Sequence, residues 1–203
     1  MCAPTERVLE ALDREGWAFA EVKDEALVGA LRRAAARLWR AGRFAPARIG
    51  RARTRAPSIR ADWIAWVDEG MDPALDRYLA WLEELRASAN ARWWLGAWEV
   101  EAHFARYPPG GGYAMHWDNP QGREDRQLTV ILYLNRGWRP GDGGALVLET
   151  ARGRVRILPE AGRIVAFFSA LFRHGVMRCA RPRWSLAAWL RRRRELFASP
   201  RAF

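Results

Sequence analysis

The stretch WEVEAHFARYPPGGGYAMHWDNPQGREDRQLTVILYLN, Trp98 to Asn135, decides the fold. Apolar residues alternate in WEVEAHFARY and again in LTVILYLN, while PPGGG and NPQGRED interrupt the chain between them. Alternation with a period of two, bounded by Gly, Pro and Asn, marks short half-buried strands. Downstream, GGALVLE, VRIL, RIVAFF, HGVMR and RWSLAAWLR continue the pattern, punctuated by RPGDGG, PEAG and ARP. Roughly seven or eight short strands with turns this dense form a barrel or a jelly roll.

Upstream of Trp98 the period changes. Thr5–Arg14 reads as a short helix with Thr5 as its cap, and Trp17–Val22 alternates like a strand. In Asp24–Gly42, Leu27, Ala30, Leu31, Ala34, Ala35 and Leu38 recur at helical spacing, and Gly42 ends the run. Asp72–Asn90 is a second long helix, and Ile59–Val67 is a strand candidate. Arg43–Pro57 has no period and reads as a mobile loop. Helices before strands is the α+β order. The expectation is one domain over residues 1–203, with support up to about 95, a β core from 96 to 192 and a tail from 193.

The net charge of +11 invites a nucleic-acid interpretation. The basic residues are nearly all Arg, however, and they occur throughout the chain rather than in one arm. The sharpest cluster, Arg191–Arg194, follows an apolar run and reads as a solvated strand end. Nucleic acid therefore ranks well below an anionic protein partner or no charged partner at all. Two cysteines do not make a disulfide framework, so a reducing cytoplasm is expected. No apolar run reaches membrane-spanning length, and MCAPTERVLEALDREGW carries acids without a signal-peptide core.

His116 and Asp118 are two residues apart, so on an extended chain their side chains point to one side. Alone, the pair fits a loop salt bridge equally well. His174 opens a late strand, and a jelly roll brings distant strands side by side. Two imidazoles and one carboxylate cover one face of an octahedral ion and leave three positions open, the arrangement of non-haem Fe(II) oxygenases. His103 has no second ligand near it in sequence and reads as a structural strand histidine. An open ferrous site needs electrons to activate oxygen, and a 2-oxo acid supplies them by chelating the metal and losing carbon dioxide. Its far carboxylate then needs a cation. Arg183, beyond a turn at Cys179–Pro182, is expected to return on the strand neighbouring His174 and grip that carboxylate. By itself it is one more arginine in an arginine-rich chain.

Together, YPPGGGYAMHWDNPQG, LTVILYLN, GDGGALVL and RIVAFFSALFRHGVMRCARPRWSLAAWL resemble the 2-oxoglutarate- and Fe(II)-dependent prolyl hydroxylases of the hypoxia-factor (EGL-nine) type and their bacterial relatives. The resemblance covers Trp98–Leu190 and extends more loosely over SIRADWIAWVDE, Ser58–Glu69. It implies a double-stranded β-helix, a cupin-like jelly roll, with N-terminal helices packed on one sheet. It also implies hydroxylation of a proline in a protein, with 2-oxoglutarate and molecular oxygen consumed, succinate and carbon dioxide released, and ascorbate as an accessory reductant. By position, His116, Asp118 and His174 match the iron ligands and Arg183 matches the 2-oxoglutarate anchor. Tyr133 matches a tyrosine whose hydroxyl meets the same carboxylate, and Tyr107 one at the iron end of the pocket. Thr129, Ile131 and Trp189 would line the same face.

At the entrance, the resemblance pairs Asp62 with Arg126, close to Arg60. The basic segment Arg43–Arg60 favours an extended, acidic or backbone-rich peptide, and the resemblance points to an exposed proline on a translation factor or a ribosomal protein. One departure is Ala187, where the family has a threonine. Two alternatives stand beside this expectation. One is a 2-oxoglutarate oxygenase of another residue or a small molecule. The other is a non-catalytic metal- or nucleic-acid-binding β-barrel.

Overall fold

The computed structural model describes residues 5–49, 54–119 and 125–193. The first half contains α1 (Thr5–Glu15), β1 (Trp17–Glu21), α2 (Glu25–Arg40), β2 (Ala45–Pro46), β3 (Trp63–Val67) and α3 (Pro73–Trp93). The second contains β4 (Ala97–Tyr107), β5 (Tyr113–His116), β6 (Arg126–Tyr133), β7 (Leu146–Thr150), β8 (Gly153–Ile157), β9 (Arg163–Phe168), β10 (His174–Val176) and β11 (Arg183–Arg192). A seven-stranded sheet has the order β1-β9-β6-β11-β4-β3-β2, and a four-stranded sheet the order β5-β10-β7-β8. Every pairing between these strands is antiparallel. The architecture is the expected α+β one.

Period-two alternation divides the large sheet into two faces. Phe104, Leu128, Val130, Leu132, Leu186, Ala188 and Leu190 point outward into the core made with Leu27, Leu31, Leu75, Leu82 and Leu85 of the helices. The intervening residues point inward. Ile131, Tyr133, Val165 and Phe167 meet Leu146, Leu148 and Ile157 of the small sheet in a second core. The helices thus cover one face of the large sheet and leave the other for a cavity.

The two long helices start where a side chain can take an unpaired backbone N–H. The Asp24 carboxylate accepts from Leu27 at 2.9 Å, and Asp72 accepts from Ala74 at 2.9 Å with Pro73 in the first helical position. Helix α3 runs three residues past the predicted Asn90. There the Asn90 side chain bonds both the N–H and the C=O of Ala97, which ties the helix end to the start of β4. Thr5 was expected to cap α1, but its hydroxyl instead accepts the indole N–H of Trp81 at 3.0 Å.

The segment 43–57 is not the featureless loop that its composition suggested. Ala45–Pro46 forms an edge strand on β3, and Ile49 pairs with Thr54. Phe44 anchors it, with its ring 5.4 Å from Trp39 and 5.9 Å from Trp184. Burying one such ring contributes roughly 1.5–3 kcal/mol, enough to hold a short edge strand in place. Arg51 and Arg53 of the predicted basic segment lie outside the described residues, as do 120–124 and the tail beyond 193. Among the described residues, no helix is long and apolar enough to cross a membrane.

Candidate active site

The small sheet supplies two ligands by direct pairing. His174 on β10 stands opposite His116 on β5, and their ring centroids lie 4.3 Å apart. The Nδ1 of His116 lies 2.8 Å from the Ala114 carbonyl, and that of His174 lies 3.3 Å from the Phe172 carbonyl. Donation from Nδ1–H to the backbone leaves each Nε2 lone pair free, and this is how metal-binding histidines are commonly oriented. Both Nε2 atoms lie 3.7 Å from the Asp118 carboxylate. The three ligand atoms fall within 4.8 Å of one another. Gly175 permits the close pairing of β10 with β5, since a Cβ there would meet the Tyr113 carbonyl at 2.9 Å.

Asp118 is buried, and the large sheet holds it. Its Oδ2 accepts from the Thr129 hydroxyl at 2.6 Å and from the Trp189 indole N–H at 2.9 Å. Ser169 lies 2.8 Å from the Thr129 hydroxyl and extends the chain of hydrogen bonds. Burial alone would raise the carboxyl pKa. The neighbouring His174 and His116 rings and the Arg126 guanidinium together hold it far below the usual carboxylate range. Burial pushes His174 down to about 4, so at neutral pH its imidazole is uncharged and able to donate a lone pair. Two imidazoles and an ionised carboxylate, converging with one side open, fit a ferrous ion.

The same cavity, about 1360 Å³, runs from this cluster to Arg183. Arg183 is only 1% exposed. Its Nε donates to the Gly144 carbonyl at 2.8 Å and its Nη1 to the Ser185 hydroxyl at 3.4 Å. No carboxylate pairs with it among the described residues. Its guanidinium carbon lies 5.1 Å from the ring centres of both Tyr107 and Tyr133. The Tyr133 hydroxyl is buried with no well-formed hydrogen bond, and burial raises its pKa to about 12 against the opposing pull of the Arg183 guanidinium. A buried cation without an anion beside such a hydroxyl is costly unless a ligand carboxylate completes it. Gly144 has a positive φ of 65°, and a Cβ there would meet the Arg183 Cδ at 3.2 Å.

The sequence-derived residues converge, with corrections. Arg183 does not return on a strand beside His174. Strand β11 belongs to the large sheet and β10 to the small one, so the two face each other across the cavity. Thr129, Ile131, Ala187 and Trp189 all line the cavity, and Thr129 and Trp189 also grip Asp118. The Asp62–Arg126 pair does not form. Both Asp62 oxygens are taken by Arg60, at 2.8 and 3.0 Å, a fork supplied from two residues away. Arg126 instead stacks on Trp189 at 3.7 Å and reaches Glu101 at 3.3 Å and Asp118 at 3.8 Å. Two participants were missed. Ser169, within RIVAFFSALF, and Tyr113, which stacks on His116 at 3.6 Å and lies 4.9 Å from the Arg60 guanidinium, were given no role from the sequence.

Residues 102–191, which carry all three candidate ligands and Arg183, match the 2OG-Fe(II) oxygenase superfamily. A crystal structure of a prolyl-4-hydroxylase from Pseudomonas putida aligns with a TM-score of 0.87 and 36% identity, covering 94% of this chain and 100% of that one. The chain belongs to the 2OG-Fe(II) oxygenase superfamily. A prolyl hydroxylase from Trichoplax adhaerens, solved with a hypoxia inducible factor oxygen degradation domain peptide fragment, aligns at 27% identity and a TM-score of 0.81, covering 91% of this chain and 87% of that one. The rat prolyl hydroxylase EGLN3 is 32% identical over 138 residues, 66% of this chain and 53% of its own length. Human Egl nine homolog 1 is 29% identical over 143 residues, 64% of this chain and 33% of its own length. The matched region thus spans between a third and about half of these curated relatives.

Proposed function

We propose that this 2OG-Fe(II) oxygenase hydroxylates a proline in a protein or peptide. The co-substrate assignment rests on one observation: a single cavity has the His116–Asp118–His174 cluster at one end and the unpaired, buried Arg183 at the other. The choice of proline is supported by likeness to the Pseudomonas putida enzyme along nearly the whole of both chains.

His116 and His174 would offer Nε2 to the iron, and Asp118 a carboxylate oxygen. When bound, ferrous iron and 2-oxoglutarate supply oxygen activation: one oxygen atom of O2 enters a substrate C–H bond, and the other enters succinate as carbon dioxide leaves. The protein's own residues set the frame for this reaction. Arg183 would grip the far carboxylate, and the Tyr133 hydroxyl would donate to it. Thr129 and Trp189 keep the Asp118 carboxylate turned toward the histidines. Tyr107, Tyr113 and the Arg60–Asp62 pair would form the side through which the substrate enters.

Incubation with cell extract, Fe(II), ascorbate and 2-oxoglutarate should add single oxygen atoms at prolines, mapped by mass spectrometry and absent with His174→Ala. Succinate formation coupled to a small molecule, with no protein proline modified, would overturn the proline assignment and leave the superfamily chemistry intact.

A further inference from the structure

His103 is the one histidine of three that the metal cluster does not use. It lies on the cavity face of β4, 2% exposed, between the rings of Trp66 at 4.9 Å and Trp189 at 5.2 Å. Neither ring nitrogen has a hydrogen-bond partner among the described residues, and Nδ1 is fully buried. Buried polar atoms are nearly always paired, and an orphan calls for an explanation. Packing between two indoles would be served as well by an apolar side chain, without the cost of desolvating an imidazole.

The surroundings indicate what kind of group would complete it. His103 stands in register with Trp66 on one side and Ala187 on the other, and Ala187 stands in register with Ile131. Ala187 is partly exposed where its neighbours in β11 are buried, so the row opens into the cavity beside the imidazole. Arg60 and Asp62 at the mouth satisfy each other, and Arg126 is engaged by Glu101. Burial, then the charge of Arg60, pushes the His103 pKa down to about 3, so the ring is neutral in use. With Nδ1 sealed, a neutral imidazole offers one nitrogen to the cavity, a donor or an acceptor according to tautomer, which suits the C=O or N–H of an amide rather than an ion.

The geometry points to His103 as a substrate-binding residue that hydrogen-bonds a peptide amide next to the reacting side chain. This assignment rests on the peptide-substrate reading above. It gives the wall between Trp66 and Trp189 a task of its own, separate from holding iron or the 2-oxo acid.

The test uses the full chain loaded with Zn(II), an inert stand-in for iron, and N-oxalylglycine, an analogue of 2-oxoglutarate that cannot decarboxylate. Nitrogen-15 spectra of labelled histidines separate the two zinc-bound rings from the third. Adding acetyl-Ala-Pro-Ala-amide should then move the His103 ring signals, whereas N-oxalylglycine alone should not. His103→Met should weaken peptide binding about fivefold, the worth of one net hydrogen bond, and leave N-oxalylglycine affinity unchanged. His103→Gln, which keeps a donor and an acceptor, should recover most of the loss. Peptide binding that leaves the His103 signals in place, or that is equally tight in His103→Met, overturns the assignment, as do signals that move with N-oxalylglycine alone. If the peptide fails to bind the parent protein, the peptide-substrate reading itself falls, and this assignment with it.

Discussion

At one end of the cavity Asp118 receives hydrogen bonds from Thr129 and Trp189 and lies beside two histidines and Arg126. At the other, Arg183 has a carbonyl, a hydroxyl and two tyrosine rings around it but no carboxylate, and the buried Tyr133 hydroxyl has only that guanidinium near it. The first end is preorganised for its ion, with each group oriented by a second group behind it. The second carries an unbalanced charge whose cost only a ligand can offset. Substitutions should therefore act oppositely on the protein's stability and on its ligand affinities at the two ends.

The largest expected effect is at the metal cluster. His174→Ala removes one of three ligands and should lower metal affinity by more than about 100-fold, beyond what loss of an outer partner causes. Metal content after dialysis and succinate formation would both show it. Retention of parental metal content would break the cluster assignment.

Arg183→Met comes next and exposes the contrast most directly. The apparent KM for 2-oxoglutarate should rise more than tenfold, consistent with roughly 2–5 kcal/mol for truncating one partner of a buried charge pair. The ligand-free variant should nevertheless melt higher than the parent, because a desolvated, unpaired guanidinium has gone. A lower Tm in the ligand-free variant would show that Arg183 is structurally satisfied after all.

Smaller effects should come from the groups behind Asp118. Thr129→Val keeps the shape but removes the hydroxyl that holds Oδ2. Trp189→Phe keeps most of the ring and removes the indole N–H. Each should cost about tenfold in metal affinity, measured by competition with a chelator, with little change in 2-oxoglutarate affinity at saturating metal.

The smallest effect concerns pH. In the unfolded chain His103 titrates near the ordinary imidazole value of 6.5, and in the folded protein burial lowers it to about 3. Between these values the unfolded state binds the extra proton, so stability is complete above pH 6.5 and falls as pH drops below it. The limiting slope is about 1.4 kcal/mol per pH unit for one proton. Thermal melts of metal-free protein should show this decline; His174, lowered to about 4, adds to it, so His103→Met should make the slope shallower without abolishing it.

Much of this arrangement was legible in the sequence because it follows from a period of two. Alternation placed Thr129, Ile131, Tyr133 and Trp189 on one face, and the spacing of His116 and Asp118 with a late His174 gave the cluster. Contacts decided by competition were not legible. The resemblance paired Asp62 with Arg126, and only the folded path of the chain gives both carboxylate oxygens to Arg60. Phe44 escaped notice because its anchors, Trp39 and Trp184, are drawn together only by the packing of α2 on the sheet. Ser169 is a lone hydroxyl between apolar residues, and nothing local distinguishes it.

The pairing of β5 with β10 is brief and irregular, with a register shift between His174 and Val176. A slip of one residue would turn one imidazole away from the other, since side chains alternate sides at every step. An ion gripping both rings therefore rewards a single alignment of two segments far apart in the chain. Iron in such a place would act as an inspector of assembly as well as a reagent: a chain that closed its small sheet wrongly could not take up the metal, and would leave the fold incomplete and inert together.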